Sequence, residues 1–356
     1  MASQNILKSC VLTCVLALSF FVAFEMYWRQ EGFTPTFNDD KVLWATKRNE
    51  IYLPQNQATI FVGGSRIKFD LDVPTWEKLT GEKAIQLAIV GTPGRLVLLH
   101  LANDENFKGK LILDVADGQF FSFVDSARRD KSAREAIEYY SEETPSQKTS
   151  ASINYFLESM FVSLEEGKFS TTALLHDFNL RNRPGINVRP PFPKGFSVSN
   201  FDRQTWMTPM FLADTSQLNY QKRFWRTAMR TLPVIKGDTL LAFMLQTKKA
   251  IDKIRARGGS VVFVRPPSTG EYIKHETLNY PREKYWDRLL AFTGCEGIHF
   301  ADYPSTAKLT CPEWSHLRKV DAVYYTTEIV KILEHDFGWK FSKKINRITQ
   351  TTHLKN

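Results

Sequence analysis

The first long apolar run of the chain extends from residue 9 to Phe24 without a charge, meets Glu25, and closes on Tyr27 and Trp28. Counted to Trp28 it has the roughly 20 residues that cross a bilayer as a helix. Lys8 and the terminal amine precede it, and the two aromatic residues at its far end suit the membrane interface. The pattern predicts one spanning helix with its N-terminus in the cytoplasm and the body of the chain on the extracytoplasmic side. The alternative is a cleaved signal peptide, but no small-x-small cleavage site follows the run. Cys10 falls at the start of the run, after Leu7-Lys8-Ser9, so the segment is not a lipoprotein signal.

Beyond a polar connector, short apolar runs alternate with helical stretches. Strands are expected at 59–62, 84–90 and 110–115, with helices around 74–79, where Gly81 is the stop signal, and at 95–102. The rhythm resumes with a helix over 238–257 stopped by Gly258-Gly259, and a strand over 260–265 ending at Pro266-Pro267. A helix over 280–293, a strand over 297–300 and a helix over 320–334 complete it. Runs of this length predict an α/β fold, a parallel sheet covered on both faces. Between the halves, 126–166 is charged and helical and 181–196 is crowded with proline and arginine. This 124–234 segment is expected to be an insertion or lid over the strand ends, where open α/β sheets bind ligands, or else a flap that only covers the sheet. The divisions are therefore 1–30, stub and anchor; 31–57, connector; 58–123, first half of the sheet domain; 124–234, insertion; 235–340, second half; and 341–356, basic tail.

The net charge of +9 over 356 residues is spread along the chain, with a mild excess at Lys343, Lys344 and Arg347. A basic exported surface suits anionic lipid head groups or acidic glycans, and export argues against nucleic acid. Cys10 and Cys14 lie in the anchor. Cys295 and Cys311, in the exported part, either form a disulfide or remain as two buried thiols. The seven histidines are scattered and no Cys/His cluster has zinc spacing, so neither metal nor cofactor is expected.

Two distant stretches carry the candidate chemistry. The run Ala58-Thr-Ile-Phe-Val-Gly63-Gly64-Ser65-Arg66 ends a strand in a tight turn bearing a hydroxyl, and Pro312-Glu313-Trp314-Ser315-His316-Leu317 supplies a base and a carboxylate. Together they suggest a serine hydrolase or acyl-transfer site. Neither is specific alone, because Gly-Ser after a strand is a common turn. A phosphate-binding reading of Gly63-Gly64-Ser65 or Gly91-Thr-Pro-Gly94 completes no fingerprint.

The order of strand, Gly-Gly-Ser, a second strand ending before Gly91, a third ending Asp114-Val-Ala-Asp117-Gly118, and Glu313-x-x-His316 before the last helix resembles the SGNH (GDSL-type) hydrolase superfamily, over about 58–118 and 261–333. The resemblance implies a three-layer, flavodoxin-like parallel sheet of SGNH type, with the N-terminal transmembrane helix and a largely helical insertion added. It implies Ser65 as nucleophile, His316 as general base and Glu313, one methylene longer than the family's aspartate, as the carboxylate that orients the imidazole. The N–H groups of Ser65 and Gly91 would be oxyanion donors. This chain lacks the family's Gly-x-Asn-Asp block: Asp117 stands where the asparagine amide would donate, and an ionised carboxylate there would repel an oxyanion unless protonated or turned away. Asn103 and Asn106 are the alternative donors.

The nearest resemblance is to membrane-anchored members that act beside membrane-bound O-acyltransferases in modifying cell-surface polymers. That implies an exported, plasma-membrane-anchored esterase or O-acyltransferase acting on acyl groups, acetyl among them, of an envelope or exported glycan. The alternative is a non-catalytic subunit that binds glycan or a membrane O-acyltransferase partner. Arg66 would bind an anionic substrate or pair with Asp70 or Asp72. Arg265, at a strand end, would contact ligand or form a salt bridge. Trp314 lines the pocket or packs, and His299 is expected in the core.

Overall fold

The computed structural model describes residues 2–121, 130–165, 169, 192–193, 195–231 and 233–342. Most of the proline- and arginine-rich 181–196 stretch and the basic residues of the tail beyond 342 lie outside them. The chain forms two compact units, one of Met1–Asp39, Glu143–Arg189 and Ser199–Phe201, the other of Asp40–Glu142, Pro190–Val198 and Asp202–Asn356.

The second unit is built on five parallel strands, β1 (Ala58–Val62), β2 (Lys83–Gln86), β3 (Lys110–Asp114), β4 (Ser260–Arg265) and β5 (Gly297–His299). Their spatial order is β2-β1-β3-β4-β5, the flavodoxin-like order, whose switch point falls between β1 and β3. Ile60 of β1 lies opposite Ile85 and Leu111, Ile112 opposite Val262, and Val264 opposite Ile298. Alternate residues serve two separate cores, as the two-residue repeat of a strand requires. Ile60, Val62, Leu111, Leu113, Val261 and Phe263 pack on one side against helices α5 (Arg95–Asn103) and α11 (Gly237–Ala256). Phe61, Ile112, Val262 and Val264 pack on the other against α4 (Val73–Thr80) and α15 (Lys319–His335).

Several expectations hold closely. Gly81 takes the left-handed conformation after α4, and β4 occupies 260–265 as expected. Others change. The connector is no connector in its second half: Asp40 caps α2 (Lys41–Arg48) through the N–H groups of Val42 and Leu43, and Trp44 is buried with its indole bonded to the Leu87 carbonyl. Residues 270–293 hold two helices where one was expected, α12 (Gly270–Asn279) and α13 (Trp286–Thr293). The second strand stops at Gln86, short of Val90, although Leu87 and Ile89 still donate to the carbonyls of Phe61 and Gly63. Among the described residues, the 124–234 segment adds no strand to the five-stranded sheet and is divided between the two units: α7 (Lys131–Glu142) packs on the sheet domain through Ala133 and Ala136, whereas α8 (Pro145–Met160) belongs with the N-terminal helix.

In the first unit, α1 (Ala2–Gln30) contains one stretch, Asn5–Gln30, long and apolar enough to span a membrane. Helix α8 begins with a capping box in which Thr144 and Gln147 satisfy each other's backbone N–H groups.

Candidate active site

Ser65 is the first residue of a short helix, α3 (Ser65–Asp70), directly after β1. The turn that presents it depends on close approaches. A Cβ at position 63 would lie 2.3 Å from Asp114 Cβ, and one at position 64 would lie 2.5 Å from Gln119 Oε1 and 2.9 Å from the Thr92 carbonyl. Only glycine fits at either position, and the Gly64 N–H donates to Asp114 Oδ2 at 3.2 Å. The strand ends of β1 and β3 are thus locked together under the serine.

His316 and Glu313 reach the same point from the loop before α15. Ser65 Oγ is 2.8 Å from His316 Nε2, and His316 Nδ1 is 3.0 Å from Glu313 Oε1. All three residues are buried. Glu313 Oε1 also accepts from the backbone N–H groups of Ser315 and His316, and Oε2 accepts from the indole of Trp225 on α10 (Thr215–Thr231). Burial alone would push this carboxyl up; the adjacent imidazole and these donors outweigh it and hold Glu313 below the usual carboxylate range. Phe69 stacks on the imidazole with centroids 4.3 Å apart, and the rings of Phe196 and Trp225 approach it as well. With one nitrogen facing a carboxylate and the other a hydroxyl, the imidazole is oriented to take the serine proton.

A cavity of about 260 Å³ opens beside Ser65 and His316, walled by Phe69, Val90, Phe192 and Phe196. The last two come from the segment read as a lid. A larger cavity, about 430 Å³, lies elsewhere, between Lys236, Leu278 and Arg288; no nucleophile and base are paired in it, so the smaller one is the candidate site.

Arg66 does not pair with Asp70 or Asp72. Its Nη2 bonds Glu276 of α12 at 2.8 Å and its guanidinium lies over the Tyr272 ring. Glu276 also binds Arg265 at 2.7 Å, and Arg265 Nε holds Asp117 Oδ2 at 3.0 Å. Both arginines are therefore structural ion-pair partners, buried in one network. Burial pushes Asp117 up to about 6, with Arg265 opposing, and its carboxylate is turned to that guanidinium and not to an oxyanion. Asp70 takes another task, accepting from the Leu317 N–H at 2.9 Å.

Gly91 follows Val90 of the cavity wall in a left-handed turn, and no described residue accepts from its N–H. Asn103 and Asn106 precede β3 and so lie at the opposite edge of the sheet; Asn103 accepts from Lys253 there. The amide that lies against the Gly63-Gly64 turn before Ser65 is that of Gln119, in the turn of helix α6 (Asp117–Phe120), a residue the sequence reading passed over although it is only two positions from Asp117. Rotation of its amide group by a half-turn presents Nε2 in place of Oε1. Trp225 was equally hidden, since nothing local ties it to a glutamate 88 residues away. Trp314 packs against Gly270 at the start of α12 and lies under Lys222 and Arg226, and His299 Nδ1 accepts from the Ala301 N–H. Cys295 and Cys311 are free, buried thiols.

Compared with known proteins, the chain matches no family model and no curated protein.

Proposed function

We propose that this chain is a membrane-anchored, SGNH-like serine esterase or O-acyltransferase, with its catalytic unit exported and acting on short acyl groups of an envelope or exported glycan. The observation that carries the reading is the continuous hydrogen-bonded chain from Ser65 through His316 to Glu313, beside a small apolar cavity. In this reading His316 Nε2 takes the Ser65 proton as Oγ attacks the ester carbonyl. The N–H groups of Ser65 and Gly91, with the Gln119 amide, face the developing oxyanion. His316 returns the proton to the leaving alcohol. The acyl group then sits on Ser65, its tail against Phe69 and Phe196, until water or a sugar hydroxyl is deprotonated by the same imidazole and takes it. No metal or cofactor enters any step. A membrane-bound O-acyltransferase is the partner that would supply or share the acyl group.

The alternative, a non-catalytic binding subunit, draws on a carboxylate at the oxyanion position. With Asp117 bonded to Arg265, that observation no longer favours it.

The test is reactivity. The detergent-solubilised full chain should hydrolyse a short-chain aryl ester and take a fluorophosphonate label on Ser65. Ser65→Ala and His316→Ala should each remove the signal, and the double variant should be no worse than either, as for residues acting as one unit. Folded wild-type protein that neither turns over nor labels, with acyl-glycans and an acyltransferase partner also tried, would overturn the proposal.

A further inference from the structure

Helix α8 has a buried face and an exposed apolar one. Ala151, Tyr155 and Glu158 turn inward, continued by Val162 just past the helix. Opposite them, Ile153, Phe156, Leu157 and Met160 follow the helical repeat on the outer face, and Phe156 is 65% exposed, Ile153 57% and Met160 48%. An outward apolar stripe of this regularity marks an interaction surface and not scattered exposure.

The neighbouring contacts say what covers it. The end of α8 is fastened to the last turns of α1. Glu25 accepts from the backbone N–H groups of Val162 and Ser163 at 2.8 and 3.0 Å, and from Arg29 Nε at 2.7 Å. Arg29 Nη2 in turn donates to the carbonyl of Met160, one of the unfilled acceptors at the end of α8. Phe161 packs edge-on against Phe21, with centroids 5.2 Å apart. This bonding accounts for the one acid in the apolar run of α1, since a carboxylate at that depth is tolerated only when paired. It also brings Met160 and Phe161 level with Phe21 and Glu25, where the outer surface of α1, including Phe20 and Val22, is exposed and apolar.

We infer that α8 is a second membrane contact, its Ile153–Phe156–Met160 face lying in the head-group and acyl boundary of the leaflet where α1 ends. The occupant of the stripe is lipid, because the stripe continues the lipid-facing surface of α1 within one unit. The inference rests on α1 as a membrane span and is independent of the proposed chemistry. It gives the chain two lipid contacts, one spanning and one lying in the interface plane.

The full chain, in a Cys10→Ser, Cys14→Ser background, is spin-labelled singly at I153C, F156C, M160C, L16C or K284C. It is reconstituted into vesicles of phosphatidylethanolamine and phosphatidylglycerol. Collision with oxygen, which concentrates in lipid, is compared with collision with a water-soluble nickel chelate. Labels at 153, 156 and 160 should resemble the one at 16, with an oxygen-to-nickel ratio several-fold above that at 284. Nickel access at 156 and 160 equal to that at 284, with 16 still in lipid, overturns the inference and leaves the anchor standing. Low access to both reagents would mean that protein covers the stripe, another segment of this chain or a second copy, and overturns it too. A label at 16 open to nickel would remove the anchor and the inference together.

Discussion

At the scale of residues, Glu313 does two jobs that separate experimentally. It orients His316, and it gathers the N–H groups of Ser315 and His316 with the Trp225 indole, so it shapes the loop that delivers the base. Glu313→Gln should keep most of the loop but lose the charge opposite the imidazole. Its rate loss should be roughly two orders of magnitude smaller than that of Ser65→Ala, as for the orienting carboxylate of other triads. Gln119 has a sharper signature. If its amide serves the oxyanion, Gln119→Leu should lower kcat about 10² to 10³-fold with little change in KM; an unchanged kcat would exclude it. Asp114 gives a prediction in pH. Burial, the largest influence, pushes its carboxyl from 3.8 up to about 6, against the pull of Arg66 and the Gly64 N–H. Between those values the unfolded chain has lost the proton and the folded chain keeps it, so folding stability falls as pH rises through the window. The loss is complete above it, at about 3 kcal/mol. Asp114→Asn has no such titration. Melting temperatures of the two proteins should therefore diverge in favour of the variant between about pH 4 and 7, and a gap that stays constant with pH would contradict the assignment.

At the scale of elements, the site is assembled by the ends of β1, β3 and β4 and by helix α12, which supplies the acid that joins them. Glu276 holds Arg66 next to Ser65 and Arg265 at the end of β4, and Arg265 holds Asp117 after β3. Removing this one acid leaves the buried Arg66 guanidinium without its ion-pair partner and Arg265 with Asp117 alone. Glu276→Ala should cost about 3 to 5 kcal/mol, the usual result of breaking a buried ion pair from one side, readable as a fall in melting temperature. A variant as stable as wild type would show that water fills the role.

The strands and Ser65 were legible in the sequence because the strands are short runs rich in apolar residues, β1 and β4 being closed directly by Gly63-Gly64 and Pro266-Pro267, and the serine follows the first of them. The pairing of Ser65 with His316 was legible for a different reason, a resemblance in the order of motifs. Helix α12 was not, because Gly-Glu-Tyr-Ile-Lys-His-Glu-Thr-Leu-Asn has little amphipathic pattern and follows Pro266-Pro267. With that helix unseen, Arg66 and Arg265 had no visible partner, and local acids were the natural but wrong choice for Arg66. Which of the alternatives open to Asp117 holds, turned away from the oxyanion position, was not legible because its neighbours in sequence say nothing of Arg265 at the end of the next strand.

At the scale of the whole chain, the two faces of the sheet decide the state of Cys295 and Cys311. Cys295 belongs to the core that packs α11 and α13 against one face, and Cys311 to the core that packs α4 and α15 against the other. A disulfide needs Cα atoms within about 7 Å, and a sheet with packed side chains on both faces stands between these two. Closeness in sequence, only a short strand and a helical turn apart, suggested a bridge that the layering forbids. Burial also raises both thiol pKa values, more strongly for Cys311, so little thiolate is available to react. In the native protein a maleimide should therefore leave Cys295 and Cys311 unmodified even when the chain is isolated from an oxidising compartment, and both should react on unfolding without prior reduction. Adding a reductant should leave the melting temperature unchanged, since no covalent loop constrains the unfolded chain. A mass lower by two hydrogens that restores on reduction, or a melting temperature that drops with reductant, would mean that the two layers are not arranged as described.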